Sequence, residues 1–428
     1  MIKTHILIIL EDNVINIKGK YTEANIYAKM CENEAMNQIF GLCNHPAFED
    51  SKIRVMPDVH AGKGCTVGTT IQISKDMVIP NIVGVDIGCG VLGTVFKSKK
   101  QIDTKGLNDF IVSNVPSGFN VRKTVHKDVE NIVITMVDEI CNNLNFKNKE
   151  YFFKSIGSLG GGNHFIEIDK IDSETYILFV HTGSRNLGKK VCEYFQVLAE
   201  EEYSKKQIFE EKKNELIKQL VKENKQGDIA KKLKELKESL SVNKNYSKEL
   251  AFISGNNFSN YMKNMKYCQA MAKENRRIIS KDIIDFLEVE VVETFDTIHN
   301  YIEEINENGV KKYIIRKGAV SAKKGEKLSI PLNMKDGTII ASGKGNSEWN
   351  FSAPHGAGRI LSRSKAKKEL SMKDFSEDMK NIDTWSVCME TIDEAPKAYK
   401  PAEDIIEIIS ETADILYIAK PIYNFKAH

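Results

Sequence analysis

A carboxylate and a thiol stand three positions apart in Gly84-Val-Asp-Ile-Gly-Cys-Gly90, with glycines at 84, 88 and 90. Asp86 offers a hard oxygen and Cys89 a soft sulfur, a combination that suits a borderline divalent ion such as manganese or zinc. The glycines let the backbone take positive φ and approach a ligand closely. Taken alone, the stretch favours the plainer reading of a glycine-rich turn with an inert buried cysteine. The histidines change that balance. Of the nine in the chain, His164, His181, His299 and His355 fall at glycine-flanked strand ends or loop junctions, and His60 is of the same kind. Histidine, aspartate and cysteine are the usual ligands of a catalytic divalent ion. His355 is set apart, because Pro354 precedes it, Gly356 and Gly358 follow, and a helix is predicted from about Arg359. A histidine before a helix start is placed to meet a phosphate. A neutral imidazole is also a nucleophile towards phosphorus; a fifth metal ligand is the alternative.

These residues need strands and loops to bring them together. Apolar residues at 78–83 and 91–96 predict two strands with a tight turn at 84–90. Residues 23–42 carry helical periodicity, and 53–64 read as a short strand running into a loop with Asp58, His60 and Lys63. A strand follows at 66–74, then surface helices at 105–115 and 125–147. The triple glycine at 160–162 delivers Asn163 and His164 to a strand that carries Glu167. A strand at 176–180 ends at His181, and if the two strands are neighbours both rings reach one rim. Residues 183–190 approach a phosphate-binding P-loop, but Lys190 stands where a Ser or Thr would hold Mg²⁺. That match is a decoy, although Arg185 and the backbone amides there remain suited to a phosphate.

Residues 200–248 are rich in Lys and Glu, with a thin apolar stripe through Leu216, Leu220, Ile229, Leu233 and Leu236 broken at Gly227-Asp228. This predicts a solvated helical hairpin inserted into the main domain. A further helix is predicted at 256–279. The last third is rich in strands and glycine, and a strand from Ile415 to Lys426 closes the chain.

Composition bounds the rest. With 428 residues, 41% hydrophobic and 28% charged, the chain can bury a large core. A net charge of +2 means that any nucleic-acid contact rests on a local basic patch. No apolar run approaches the roughly 20 residues needed to span a bilayer. The apolar start of the chain lacks a cleavage site and reads as a first strand, not a signal peptide. Eight cysteines without a C-x-x-C pair suit free thiols in a reducing cytoplasm.

Six stretches then carry a resemblance. Met56-Pro-Asp-Val-His-Ala-Gly-Lys-Gly64, Gly84-Val-Asp-Ile-Gly-Cys-Gly90, Gly160-Gly-Gly-Asn-His-Phe165, His181-Thr-Gly-Ser-Arg185, His299-Asn300 and His355-Gly-Ala-Gly-Arg359 resemble, in order, the motifs of the RtcB-type RNA ligases. The likeness runs over nearly the whole chain outside 200–248. It implies an α/β (α+β) fold, one catalytic domain over 1–428, with a central cleft holding two Mn²⁺ ions. Asp86, Cys89, His164, His181 and His299 would be the metal ligands, with Cys89 bridging both ions. His355 would take GMP from GTP. Asn163, His164, Phe165, Ile166, Glu167, His299, Asn300, Pro331, Leu332, Asn333, Met334, Thr338, Gly356, Ala357, Gly358 and Lys426 would hold the guanylate. Arg185 and Arg359 would meet phosphates.

The implied substrates are RNA ends bearing a 3′-phosphate or 2′,3′-cyclic phosphate, RNA 5′-hydroxyl ends, and GTP, with an archease-like protein as a candidate activator. Two departures are visible: Pro331-Leu-Asn-Met334 stands where family members carry Pro-Gly-Ser-Met, and the charged hairpin is long. They suggest a divergent bacterial branch acting in RNA repair in place of tRNA splicing. The competing classes are a binuclear metal phosphohydrolase without covalent guanylylation, and a non-catalytic RNA-binding protein.

Overall fold

The computed structural model describes residues 8–11, 14–204, 206–223, 225–239 and 246–427. Two seven-stranded sheets dominate this mixed α/β structure. The first runs in the order Ile8–Glu11, Val14–Lys18, Glu23–Ile26, Lys52–His60, Val67–Ile73, Val310–Lys317 and Asn300–Glu307. Its one parallel pairing joins Glu23–Ile26 to Lys52–His60. The second runs Glu290–Ile298, Gly90–Lys97, Thr175–Thr182, Phe165–Lys170, Ala413–Lys426, Gly337–Gly343 and Lys327–Asn333, antiparallel throughout.

The period of two along a strand decides what each sheet offers the site. In Phe165–Lys170, Ile166 and Ile168 enter a core with Leu107, Ile111 and Phe425, while Phe165 and Glu167 on the opposite face line a cavity. Strand Thr175–Thr182 is buried along nearly its whole length, which its apolar run Tyr-Ile-Leu-Phe-Val reflects.

A 33-residue helix, Gly255–Leu287, ties the sheets together. Tyr261, Met265 and Cys268 join the core that includes the first sheet's Ile53, Ile71 and Ile315. Ile279 and Ile283 join Ile166, Leu178 and Val180 of the second sheet. The helix outruns its predicted end at 279 because this apolar spacing continues. No helix of the described residues is long and apolar enough to cross a membrane.

Several local expectations are corrected. The predicted helix at 23–42 is a strand, Glu23–Ile26, followed by a helix at Asn33–Cys43; Ala24 and Ile26 are buried by pairing on both sides, which overrides a short ambiguous pattern. The residues before the Asp86 turn form a strand of two residues and then a single helical turn, Pro80–Val83, because Pro80 at its first position favours helix over strand. The helix expected over 125–147 is confined to Asn131–Asn143. Within 200–248 lie helices Lys206–Lys222 and Ile229–Ser239 on either side of a turn at Gln226–Asp228; positions 205, 224 and 240–245 of the predicted hairpin lie outside the described residues, as do residues 1–7 of the predicted first strand.

Candidate active site

The two sheets meet at His299. Strand Glu290–Ile298 belongs to the second sheet and Asn300–Glu307 to the first, so here the chain passes from one sheet to the other through a single residue. Its N–H donates to Cys89 O (3.0 Å), and its carbonyl accepts from Gly318 N (2.8 Å). Here a cavity of about 380 Å³ is lined from both sheets, by His60 and Lys317 on one side and His181, Phe165 and Lys426 on the other.

Cys89 and His181 line it, and His164 meets Cys89 behind that wall. Cys89 Sγ lies 3.4 Å from Nε2 of both histidines, and His164 Nε2 is 3.0 Å from Asp86 Oδ2. The three ligand atoms lie within 4.8 Å of one another, a group that could hold a metal ion. His164 and His181 do reach one rim from adjacent strands, since Phe165 pairs directly with His181. The rings continue in file: His181 to His299 at 5.3 Å and His299 to His355 at 4.8 Å between centroids.

The donor chemistry fits a borderline divalent cation. Burial, reinforced by neighbouring histidines, holds His181 and His299 well below the usual imidazole range, so both stay neutral, as ligands must. His181 Nδ1 is buried with no hydrogen-bond partner. Burial and the Asp86 carboxylate push the Cys89 thiol well up; a bound cation reverses that preference. His164 Nδ1 bonds Leu159 O at 2.9 Å, which turns Nε2 towards Asp86 and Cys89.

The loops carrying these ligands are braced by two residues of the long helix that the sequence reading passed over. Arg276 is fully buried. It pairs with Asp296 through two bonds (2.6 and 2.8 Å) and donates to Gly88 O (2.9 Å) and Thr182 O (2.7 Å), joining the metal turn to the end of the His181 strand. Asn275 Oδ1 accepts from Gly157 N (2.7 Å) and Ser158 N (3.0 Å), while its Nδ2 donates to Thr182 Oγ1 and Gly183 O. An adjacent Asn-Arg pair inside an apolar helix was the signal available. The P-loop likeness has its own explanation: a Cβ on Gly183 would sit 2.1 Å from Asp86 Oδ1. That glycine makes room for the Asp86 carboxylate.

His355 departs from expectation. It ends strand Ser352–Pro354 and does not open a helix; the next helix is the seven-residue Arg363–Glu369. Gly358 at φ +73° turns the chain away instead, and a Cβ there would meet Asp58 O at 2.3 Å. What orients the ring is Asp58, fully buried in strand Lys52–His60. Its Oδ2 accepts from His355 Nδ1 (2.6 Å) and from the His355 main-chain N–H (3.1 Å). The neutral ring in this arrangement has its proton on Nδ1 and its lone pair on Nε2. Lys400 Nζ secures this strand by donating to Pro57 O (2.7 Å) and Val59 O (2.9 Å), the carbonyls on either side of Asp58.

The other predicted contacts divide. Asn163, Phe165, Glu167, Asn300, Pro331, Leu332, Asn333, Met334, Gly356, Ala357, Gly358, Arg359 and Lys426 line the cavity. Ile166 does not, since its side chain faces the opposite core. Thr338 is buried beneath Pro331, with its hydroxyl unpartnered. Arg185 lies outside the lining, donating to Ser158 Oγ (3.1 Å) and Gly118 O (2.7 Å). Arg359, Arg363 and Lys426 converge on buried Glu394 at 3.2, 2.8 and 2.7 Å. Although burial opposes it, this cationic cluster, Lys426 foremost, holds the Glu394 carboxyl down at about 2.

A family model described as tRNA-splicing ligase RtcB matches residues 38–427. Over 427 residues the chain is 30% identical to the RNA-splicing ligase RtcB of Escherichia coli (strain K12), covering 92% of this chain and 94% of that one. The chain belongs to the RtcB family. More distant RtcB proteins agree over similar spans: the tRNA-splicing ligase RtcB of Aeropyrum pernix is 26% identical across 91% of this chain and 90% of its own. That of Thermococcus kodakarensis is 24% identical across 96% and 94%. As an RtcB family member the protein is an enzyme of the RNA ligase class, and its cleft holds a Cys–His cluster able to take a metal ion.

Proposed function

We propose that the protein joins RNA ends bearing a 3′-phosphate or 2′,3′-cyclic phosphate to 5′-hydroxyl ends, using GTP through a covalent guanylate on His355. The observation that carries this reading is the Asp58–His355 bond, which fixes Nδ1 and leaves His355 Nε2 as the ring nitrogen free for nucleophilic attack at the wall of a nucleotide-sized cavity beside the metal-capable cluster. Manganese, as two ions held by Asp86, Cys89, His164, His181 and His299, would supply positive charge beside the reacting phosphates.

His355 Nε2 attacks the α-phosphorus of GTP; an N–P bond forms and pyrophosphate leaves. Asp58 keeps the Nδ1 proton in place and balances the charge that the ring acquires, the role of the carboxylate in a serine-protease triad. An RNA 3′-phosphate oxygen, freed first from the cyclic form where necessary, then takes the guanylate and returns the lone pair to Nε2. Attack by a 5′-hydroxyl expels GMP and closes a 3′,5′ bond. Glu167, whose carboxyl burial raises to about 7, offers an acceptor to the guanine edge, and Lys426, Arg359 and Arg363 supply cations for phosphates.

The test is incubation with α-labelled GTP and Mn²⁺, followed by denaturation. Acid-labile, alkali-stable label that is absent from His355→Ala is expected. A phosphohydrolase using the same ligands would carry no label with or without an added archease-like activator, and would keep turning over in His355→Ala.

A further inference from the structure

Phe119 is 97% exposed. Holding a whole phenyl ring in water forfeits the stabilisation its burial would give, yet the loop that presents it is firmly built. Gly118 N donates to Gly160 O (2.9 Å), Leu159 N to Pro116 O (2.8 Å), Asn120 N to Ser117 O (3.1 Å) and Arg122 N to Lys154 O (3.0 Å). Arg185 Nη2 clamps Gly118 O at 2.7 Å. The same backbone stretch fixes the metal-capable cluster, since Leu159 O accepts from His164 Nδ1. Phe119 thus stands on a loop bonded directly to the one that orients His164 of the metal-capable cluster.

The rim between Phe119 and the cationic cluster is open backbone. Gly161 lies against Gly118, and Gly162 lies against the guanidinium of Arg363; Gly162 and Asn163 are exposed. Further along, Arg363 and Lys367 keep about half of their side chains in solvent. An isolated aromatic face, then glycine backbone that a strand can approach, then cations, is the pattern of a single-stranded nucleic-acid track. A protein partner would ask for a contiguous apolar patch, whereas Ser117, Gly118 and Asn120, the nearest neighbours of Phe119 in the chain, are polar or lack a side chain.

We propose that Phe119 is a stacking platform for an unpaired base of the RNA end entering the cleft, with the strand running over Gly161–Gly162 towards Arg363. This rests on the ligase reading, and its test separates the two. Phe119→Ala and Phe119→Trp are compared with the wild-type full-length chain, using single-stranded RNA that ends in a 3′-phosphate. Phe119→Ala should raise the KM for RNA about tenfold, within the range for losing one stacked base, while labelling by GTP alone is unchanged. In Phe119→Trp that KM should be kept, and the added tryptophan fluorescence, read against wild type, should be quenched by the RNA. Quenching needs no turnover, so it decides the proposal even if no label or ligation is found. An unquenched Phe119→Trp, an unchanged KM in Phe119→Ala, or an equal loss of RNA-free labelling would overturn it. So would a loss confined to stimulation by an archease-like protein, which would make the ring a protein-docking point.

Discussion

Asp58 and His355 are 297 positions apart, and their contact favours the proposed nucleophile over a further metal ligand. An imidazole whose Nδ1 is held by a buried carboxylate presents Nε2 alone to the cavity. Asp58→Asn preserves the shape of that partner but removes the charge and allows the opposite tautomer. Self-guanylylation should then fall by about 10³–10⁴-fold, by analogy with the same change in a serine-protease triad, with little change in melting temperature. Initial rates of label incorporation from GTP measure it, and a variant labelling at the wild-type rate would remove Asp58 from the mechanism. The candidate residues His181, His299 and Cys89 were legible because their types and glycine-rich surroundings already suggest ligation. Asp58 was visible as a residue of its motif, without a role, because nothing local says which ring its carboxylate faces.

At the scale of elements, the turn after His355 was misjudged. Gly356 and Gly358 looked like the approach to a helix, yet Gly358 lets the chain pass directly over the Asp58 carbonyl at positive φ. A Cβ there has no room. Gly358→Ala should lower stability by about 1–3 kcal/mol for the strained backbone and should also abolish labelling, read by thermal unfolding beside the GTP assay. The long helix shows the converse. A helix was predicted there without a role, but Asn275 and Arg276 within it hold the loops of the metal-capable cluster in register. A buried arginine paired to Asp296 reads in sequence as an ordinary surface charge, because burial is a property of the surroundings.

At the scale of the molecule, the charged hairpin is separable by geometry. Tyr203 OH donates to Tyr246 O at 3.0 Å, so the points where the insertion leaves and rejoins the body touch. Replacing residues 205–245 by a short Gly-Ser linker should leave the melting temperature within a few degrees and RNA-free labelling intact. Loss of labelling in the folded variant would bind the hairpin to the active site. His45 reports on the same region, since its Nδ1 accepts from Ala47 N (3.2 Å) and its Nε2 donates to Leu250 O (3.0 Å). Burial lowers its pKa to about 4, below the roughly 6.5 of an unfolded chain. Its contribution is therefore complete above about pH 6.5 and is lost as pH falls towards 4, by up to about 3 kcal/mol. Urea midpoints at pH 7.5 and 5 should separate by less in His45→Asn than in wild type.

The sequence by itself determined which chemistry was available: a hard and a soft ligand on one turn, histidines at strand ends, and two faces on the Phe165–Lys170 strand. Covalent spacing and the period of two suffice for that, because both act over a few residues. Tertiary structure alone decided that His299 joins a strand of one sheet to a strand of the other, that Asp58 faces His355, that Glu394 gathers Arg359, Arg363 and Lys426, and that Ile166 turns from the cavity. Each of these depends on which strand or loop lies beside which. That choice is made by burying both sheets against one long helix, and no local window contains it.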